Sequence, residues 1–402
     1  MNEVTIDITI IGGGIAGLWT LNRLRQLGYQ AILIENNDLG GNQTCASQGI
    51  IHGGTKYALK GILTDSAKAI SAMPSRWLAC LSGHGEINLT DVETLALHQF
   101  LWTENDIATK LTGFFASKVM QSKMALVDKN HQPGFFKQQN QSHLFKGNVY
   151  QLNEPVLNTQ QLVKSLSRLQ LDAIIKSDIK NLEQTEQKAY KLQLDHLNIH
   201  TKQLLLTAGN GNQDLYQKIF PLSEKPVMQQ RPLQMLMLKG SQLQPIYAHR
   251  LGVSALPTLT ISSHFIHGSD ETIWYIGGEL AENYATKSQG ELIAAAKEQL
   301  KKLIPWQSFE LVQWSSVYIN RAEPLMNLGQ RPDNQYLSVK DNVILAWPVK
   351  LALTPLLADD ICAQIEKTHL SKTHTAIPEE ISCITKPDIC QMPWEKVTDW
   401  SE

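Results

Sequence analysis

The chain has 402 residues, 43% of them hydrophobic and 18% charged, and a formal net charge of −2. This is the composition of a globular protein with room for two or three domains. The near-neutral charge excludes a general attraction to nucleic acid or to anionic membranes, so we expect no nucleic-acid partner.

The first 35 residues have the pattern of a nucleotide-binding strand–helix–strand unit. Residues 4–11 are apolar and β-branched, which is typical of a buried parallel strand. Residues 15–27 have helical periodicity and stop at Gly28, a good helix C-cap. Residues 29–34 then predict a second buried strand.

The turn between strand and helix carries Gly12, Gly14 and Gly17 at GxGxxG spacing. The first glycine allows the tight turn, the second lets the backbone approach a pyrophosphate, and the third allows close helix–strand packing. The helix start at Ile15 and Ala16 offers amide donors and a positive dipole to the phosphates.

An acidic residue, Glu35, ends the second strand and is followed by Asn36. A carboxylate at this place can bind both ribose hydroxyls, and the absence of a nearby basic residue disfavours a 2′-phosphate. We therefore expect FAD or NAD at this end of the sheet rather than NADP. The alternative, a glycine-rich turn that binds nothing, does not explain Glu35.

The stretch ASQGIIHGG at residues 46–54 resembles the second cofactor-binding segment of the D-amino-acid-oxidase-like flavoenzymes. That family includes glycine and sarcosine oxidases, glycerol-3-phosphate dehydrogenase and L-2-hydroxyglutarate dehydrogenase. The resemblance implies that FAD is the cofactor and that it contacts Ala46, Ser47, Gln48, Gly49 and His52. It also implies that His52 and the glycines after it lie beside the isoalloxazine ring.

Further segments follow in the family's order, so that the resemblance extends from about Thr5 to Gln364. It implies that Ile179 packs on adenine and that Ala208 and Gly209 close over the pyrophosphate. It places Arg321 where the family has an arginine, and we expect this residue to anchor an anionic substrate group, since a guanidinium grips a carboxylate or phosphate with two hydrogen bonds.

Two segments depart from the family pattern. The last cofactor loop is usually glycine-rich, but here it reads AWPVKL at residues 346–351, and the Arg321 segment reads Arg-Ala-Glu-Pro. We still expect the loop to face the pyrimidine edge of the flavin, through Val349, Lys350, Leu351 and Ala352. A cation at Lys350 would stabilise the negative charge of the reduced ring.

Each candidate catalytic residue also has a structural interpretation. His52 could be a structural histidine in a buried loop, Arg321 a member of a surface ion pair, and Lys350 a solvated lysine. As catalytic groups, the three residues would surround one flavin ring. Covalent attachment of the flavin to His52 stays open.

The expected fold class is α/β, with a discontinuous Rossmann-like FAD-binding domain and a second α+β substrate domain built on an antiparallel or mixed sheet. We assign residues 1–73, 152–221 and 321–369 to the FAD-binding domain, 74–151 and 222–320 to the substrate domain, and 370–402 to a C-terminal tail.

Within the substrate domain, the pattern predicts strands over residues 232–238, 258–264 and 272–278, and helices over residues 90–103 and 105–120. The tail has little periodicity, and we expect it to run over the surface and to dock Trp394 and Trp400.

The cysteines point to a reducing compartment. Five cysteines without a CxxC pattern favour reduced thiols over a disulfide scaffold or a zinc site, and we expect no metal. The N-terminus has no basic leader region and no apolar run is long enough to cross a membrane. We expect a cytoplasmic location, with a peripheral membrane contact left open.

The resemblance implies an FAD-dependent oxidoreductase that removes a hydride from a C–H next to an amine or hydroxyl of a small amino or hydroxy acid and delivers it to flavin N5. One alternative is a dehydrogenase of a 2-hydroxy acid or polyol phosphate that passes electrons to a quinone or a protein. Another is a flavin-binding subunit or sensor without turnover. The electron acceptor stays open.

Overall fold

The computed structural model describes residues 2–54, 69–104, 124–137, 144–186, 189–221, 227–252, 257–266, 268–326, 332–372 and 376–402. The described strands are β1 (Asn2–Ile11), β2 (Ala31–Glu35), β3 (Thr94–Ala96), β4 (Gln99–Glu104), β5 (Met124–Leu126), β6 (Gly147–Leu152), β7 (Val156–Leu157), β8 (Ile174–Lys176), β9 (Asn181–Gln184), β10 (Tyr190–Gln193), β11 (Leu197–Leu206), β12 (Met228–Gly240), β13 (Ala248–Leu251), β14 (Pro257–Phe265), β15 (Thr272–Gly277), β16 (Gln313–Pro324), β17 (Tyr336–Lys340) and β18 (Val343–Trp347).

The described α-helices are α1 (Ile15–Gln26), α2 (Met73–Leu81), α3 (Gly134–Lys137), α4 (Thr159–Arg168), α5 (Asn212–Ile219), α6 (Glu279–Asn283), α7 (Gln289–Leu303), α8 (Thr354–Glu366), α9 (Glu379–Ser382) and α10 (Pro393–Lys396). Short 3-10 helices lie at Lys129–His131, Leu171–Ala173, Gly209–Gly211 and Leu351–Leu353.

The first sheet is parallel at its centre. Its order is β17-β18-β11-β1-β2-β8, with β10 and β9 added antiparallel beside β11. Strand β1 runs parallel to β11 and β2, and α1 packs against α4 and α8. The side chains of Ile6, Ile8 and Ile10 are fully buried, as expected of a parallel strand covered on both faces. The α/β, Rossmann-like fold class is therefore confirmed.

The second sheet has the order β16-β12-β15-β14-β13-β4-β6-β5 and is antiparallel except for the parallel pair β4 and β13. Its strands alternate between two cores. Met235, Met237 and Tyr275 belong to the core of the first sheet, whereas Leu236 and Trp274 pack in a second core that includes α7. One face of the second sheet therefore faces the first sheet, and we call it the inner face.

The predicted strands over 232–238 and 258–264 lie within β12 and β14, and β15 covers 272–277. The helix predicted over residues 90–103 is wrong, because this stretch contains β3 and β4. Strand β4 pairs with both β13 and β6, and only Phe100 and Glu104 in it are half-buried while its other residues are buried, so its sequence lacks the alternation of an exposed strand. The helix predicted over 105–120 lies outside the described residues.

The domain assignment stays a prediction, and two observations bear on its boundaries: Trp77 of α2 packs against Trp19 of α1, although α2 was assigned to the substrate domain, and β16 crosses the last boundary. Strand β16 of the second sheet continues to Pro324, past the expected boundary at residue 321. Its register with β12 is continuous from Lys239 to Met228, so the pairing ends only where both strands leave the sheet. The two-domain division is kept as a proposal with this later boundary.

The C-terminal tail lies on both sheets. Leu39 N–H donates to Asp388 O at 2.8 Å, and Cys390 N–H donates to Leu39 O at 3.1 Å. Further on, the Trp394 ring stacks on the His264 ring with 4.1 Å between ring centroids, and Trp394 is only 6% exposed. The expected docking of Trp394 is present, and Trp400 lies under the Lys239 ammonium group.

The tail also brings two cysteines together. Cys45 and Cys390 form a disulfide across 345 residues of sequence, whereas Cys80, Cys362 and Cys383 are free thiols. The expectation of five reduced cysteines is therefore wrong for this pair, since spacing along the chain cannot show a contact that depends on the path of the tail.

Within the described ranges, every helix is too short or too polar to cross a membrane. In the same part of the chain, the structure places no group of three or more histidine, cysteine or acidic side chains around a metal position.

The tail should contribute measurably to folding stability. Ile381 in α9 is fully buried where α9 contacts β8 and the 3-10 helix at Leu171–Ala173. We expect Ile381→Ala to lower the free energy of unfolding by about 3 kcal/mol, because it leaves a cavity in a packed contact. Urea unfolding measures the loss, with Leu97→Ala as control, since Leu97 is 60% exposed. Equal midpoints for both variants would contradict a packed tail.

Candidate functional site

The carboxyl ends of β1, β2 and β11 meet around the glycine turn. Gly12 has a φ of +111°, and a Cβ at this residue would lie 2.5 Å from Ala208 Cα. A Cβ at Gly17 would lie 2.0 Å from Gly12 O. Thr207 Oγ1 donates to Gly12 O at 3.1 Å and closes the turn. Only backbone fits between these strands and α1, as the sequence predicts for these two glycines.

Gly14 differs from the other two glycines. A Cβ there would meet only Thr44 Oγ1, at 3.4 Å, an ordinary contact distance. Gly14 precedes α1, whose first turn carries no acidic residue, and Ile15 N–H donates to Thr44 Oγ1 at 3.0 Å. The backbone is therefore open beside a helix N-terminus, which is the environment that a pyrophosphate requires. Thr44 was not predicted, although it lies in the polar run before Ala46, and Ser47 Oγ donates to its carbonyl.

Glu35 is held at the end of β2. Its Oε2 accepts a hydrogen bond from Gly13 N–H at 2.7 Å, and its Oε1 accepts from the N–H groups of Asn36 and Asn37 at 2.9 Å. The carboxylate is thus fixed beside the glycine turn, where it can accept hydrogen bonds from ribose hydroxyls. Ile179 is half-buried against the core of the first sheet, and its contact with adenine stays a prediction.

The segment from Ala46 to Gly49 is attached to the inner face of the second sheet. Tyr275 Oη donates to Ala46 O at 2.9 Å, and Gln48 Nε2 donates to Tyr275 O at 2.9 Å. Gln48 Oε1 accepts from Thr260 Oγ1 at 3.1 Å. Gly49 has a φ of +72°, and a Cβ there would lie 2.1 Å from Leu157 O. These contacts fix the path of the chain into His52.

His52 lies in a polar cluster with a buried carboxylate. Glu154 Oε2 is 3.4 Å from His52 Nδ1, and Glu154 Oε1 accepts from Gly53 N–H at 2.7 Å. Gln99 Nε2 also donates to Glu154, and the His249 ring centroid is 5.5 Å from that of His52. Glu154 was not among the predicted site residues.

The cluster controls the ionisation of Glu154. Burial raises the pKa of this carboxyl, but the hydrogen bonds from His52, Gly53 and Gln99 and the charge of His52 outweigh it, so the pKa lies below its ordinary value. Because the folded-state pKa is depressed, these contacts stabilise the fold above the ordinary carboxyl pKa. That stability is lost as the pH falls through the folded-state value.

Ala208 and Gly209 follow β11, at the same end of the first sheet. Ala208 N–H donates to Asn212 Oδ1 at 2.8 Å, and Asn212 Nδ2 donates to Ala346 O at 3.2 Å. Trp347 Nε1 donates to Gly209 O at 3.3 Å. Asn212 therefore joins the ends of β11 and β18, a role that sequence reasoning missed because Asn212 belongs to neither strand.

The last loop, residues 348–352, leads from β18 towards α8. Val349 has a φ of +63°, a conformation that a β-branched residue rarely adopts and that glycine would adopt without strain. Lys350 Nζ donates to Asp333 O at 3.1 Å. Leu351 and Ala352 belong to the 3-10 helix that precedes α8. The hydrogen bond to Asp333 O directs the Lys350 ammonium group to a neighbouring loop, and the role of Lys350 at the flavin edge stays a prediction.

Arg321 lies on β16, directly opposite Arg231 on β12. Both share the inner face with Met235. Arg321 Nη2 is 3.2 Å from Glu282 Oε1, and Arg321 Nε donates to Arg231 O at 3.3 Å. The Arg321 side chain is 18% exposed, so it does not extend into solvent. Its charge is balanced by Glu282, and an anionic ligand must compete with this carboxylate.

Arg231 itself has two acidic neighbours. Its guanidinium lies 3.4 Å from Glu323 Oε2 and 3.9 Å from Glu282 Oε1. Arg231, Arg321, Glu282 and Glu323 thus form a cluster of two arginines and two glutamates.

The three predicted catalytic residues occupy separate surroundings: His52 lies with Glu154, Arg321 with Glu282, and Lys350 with Asp333.

The glycine turn, the start of α1 and Glu35 together fit the adenine dinucleotide part of FAD. We expect Gly14→Val to remove most bound flavin while the fold is retained, because the new side chain fills the open space and not a packed contact. Flavin absorbance per protein and the thermal unfolding midpoint check this. The control is Gly290→Val, where a Cβ meets nothing within 4 Å. Full flavin content in Gly14→Val would show that the site is misassigned.

Comparison with known proteins agrees with this geometry. The chain is 38% identical over 395 residues to the Probable FAD-dependent oxidoreductase PA4991 of Pseudomonas aeruginosa, with 98% of each sequence covered. The crystal structure of that protein matches with a TM-score of 0.82 and 33% identity, over 98% of this chain and 99% of that one.

More distant structures share the fold. L-alpha-glycerophosphate oxidase of Mycoplasma pneumoniae, solved with FAD bound, matches at 13% identity and a TM-score of 0.65, over 90% of this chain and 95% of that one. Glycine oxidase of Geobacillus kaustophilus matches at 11% identity and a TM-score of 0.63, over 91% and 96%. The sequence profile described as "DAO: FAD dependent oxidoreductase" matches residues 7–346. The chain belongs to this family and is an FAD-dependent oxidoreductase.

Proposed function

We propose that this enzyme oxidises a C–H bond next to an amine or a hydroxyl in a small acidic substrate, an amino or hydroxy acid. The bound FAD supplies the hydride acceptor, at N5 of its ring. The task of the chain is to hold the reacting carbon, to bind the acid group and to take up the proton that the amine or hydroxyl loses.

The observation that carries this proposal is the position of Arg321. Its guanidinium lies on the inner face, and protein oxygens hold Nε and Nη2 at 3.3 Å and 3.2 Å. A guanidinium fixed in this way offers a planar pair of donors to a carboxylate or phosphate. A substrate acid group would therefore be held in one orientation, with its reacting carbon at a set distance from Arg321.

Glu282 favours an amino acid as the substrate. An anion that binds Arg321 has to share it with the Glu282 carboxylate, 3.2 Å away, and this repulsion weakens binding of a simple acid. A substrate that also carries an ammonium group places its positive charge beside Glu282 and removes the repulsion. The Arg321–Glu282 pair is thus complementary to a zwitterion.

His52 and Glu154 support the second candidate, a 2-hydroxy-acid or polyol-phosphate dehydrogenase. Oxidation of an alcohol requires a base for the hydroxyl proton, and an imidazole beside a buried carboxylate is suited to that task. The distant structural neighbours are named for both chemistries, since one is a glycerophosphate oxidase and others are glycine oxidases. Anaerobic bleaching of the flavin by amino acids, hydroxy acids and glycerol phosphate separates the two candidates.

Arg321→Ala should weaken substrate use without affecting the cofactor. We expect a loss on the order of 2–5 kcal/mol in kcat/KM, since one charged, partly desolvated contact is removed. Flavin content should not change, because Arg321 lies outside the glycine turn. The control is Arg25→Ala, which breaks an ion pair with Asp172 at similar arginine exposure. If Arg321→Ala keeps the wild-type kcat/KM for every substrate that bleaches the flavin, Arg321 is not the anchor.

Glu282→Gln should separate amino acids from hydroxy acids. The variant removes the negative charge beside Arg321 and keeps the size of the side chain. We therefore expect kcat/KM to fall for amino acids and to rise or stay equal for hydroxy acids of the same length. Stopped-flow flavin reduction with matched substrate pairs measures the ratio. Equal changes for both classes would count against recognition of an ammonium group by Glu282.

A further inference from the structure

The chain directly after Glu154 is hydrogen-bonded to the chain that leads into His52. Leu157 N–H donates to Gly49 O at 2.9 Å, Ile51 N–H donates to Pro155 O at 2.9 Å, and Ile50 and Val156 form an isolated β-bridge. These backbone contacts bring residue 154 beside residues 52 and 53, although about 100 residues separate them in sequence. The placement of Glu154 therefore follows from backbone pairing and does not depend on its own side chain.

The Glu154 carboxylate connects the turn at His52 and Gly53 with strand β4. Its Oε1 accepts from Gly53 N–H at 2.7 Å, its Oε2 lies 3.4 Å from His52 Nδ1, and Gln99 of β4 donates to it from the second sheet. Glu154 is 4% exposed and Gln99 is 1% exposed. A buried carboxylate with these partners holds both the backbone and the ring of the turn that the cofactor is expected to contact.

We propose that Glu154 is a positioning residue, which orients the His52 ring and sets its protonation for the reaction. This assignment rests on the proposed function of His52 as the proton acceptor. A carboxylate at Nδ1 keeps the proton on that nitrogen and leaves Nε2 as the basic atom of the neutral ring. When Nε2 takes a proton from the substrate hydroxyl or amine, the negative charge of Glu154 stabilises the imidazolium that forms.

Other groups around the pair also influence its titration. His249 of β13 faces His52 across 5.5 Å, and Tyr247 packs beside Ile50 and Val156. Burial raises the pKa of Tyr247, so this phenol stays neutral over the pH range in which histidine titrates. Among the side chains described around His52, His249 is the imidazole that faces it, and Glu154 keeps its negative charge over that pH range because its pKa lies below the ordinary carboxyl value.

The test compares Glu154→Gln with Glu154→Asp and Glu154→Ala in the FAD-loaded full-length protein. Glu154→Gln keeps an oxygen that can accept from Gly53 N–H but removes the charge. We expect it to retain flavin and to fold, and to slow anaerobic flavin reduction about 10- to 100-fold. In a plot of the flavin reduction rate against pH, the rising limb should move to lower pH, because the His52 imidazolium is no longer stabilised by the negative charge of Glu154. Glu154→Asp should restore part of the rate, and Glu298→Gln, the same change at an exposed residue of α7, should have no effect.

A second measurement is independent of turnover. NMR titration of the His52 ring, assigned by the signal missing in His52→Asn, should show its midpoint at lower pH in Glu154→Gln than in the wild type. An unchanged midpoint together with an unchanged rate limb would overturn the positioning role, and Glu154→Ala then reports only on stability. If the midpoint moves but no amino acid, hydroxy acid or glycerol phosphate reduces the wild-type flavin, the proposed function fails and the assignment of Glu154 to His52 stands.

Discussion

The proposed cofactor site depends on one contact between backbone atoms, at the point where α1 begins on the turn after β1. A side chain at Gly17 would meet Gly12 O at 2.0 Å, and one at Gly12 would meet Ala208. This space admits only backbone, so β1, β11 and α1 meet at a single point. The helix N-terminus, the Thr44 hydroxyl and the Glu35 carboxylate are all arranged around it. The rest of the site extends from this point towards the second sheet.

The two sheets are joined by the segment from Ala46 to Gly53. Gln48 contacts Tyr275 of the second sheet, and Gly53 contacts Glu154 at the end of that sheet's β6. Charged groups along this boundary lie in opposite pairs, because an uncompensated charge at low exposure is costly. In the proposed function, the pairs of Arg321 with Glu282 and of His52 with Glu154 also supply the chemistry of the site. A substrate with complementary charges can interact with the same groups that balance one another in its absence.

Some of this could be predicted because the information is local. The glycine spacing, the helix after it and the acid at Glu35 lie within 35 consecutive residues, and steric limits alone assign their positions. The helix predicted over residues 90–103 failed because β4 is mostly buried, so its sequence lacks the polar–apolar alternation that would have indicated a strand. The Cys45–Cys390 disulfide was missed because 345 residues separate its partners. An ion pair was one of the two interpretations of Arg321, but its partner Glu282 could not be identified from the sequence.

The sequence by itself determined the nucleotide-binding unit, the α/β class and the family, since these depend on short motifs and on their order. Only the tertiary structure decided the partners of the candidate catalytic residues. Glu282 reaches Arg321 from a helix after β15, and Glu154 reaches His52 through backbone pairing of residues 49–51 with 155–157. Contacts of this kind depend on strand register and on the path of loops between sheets. Neither is encoded in the spacing of any single segment, because each depends on the position of a second segment far away in the chain.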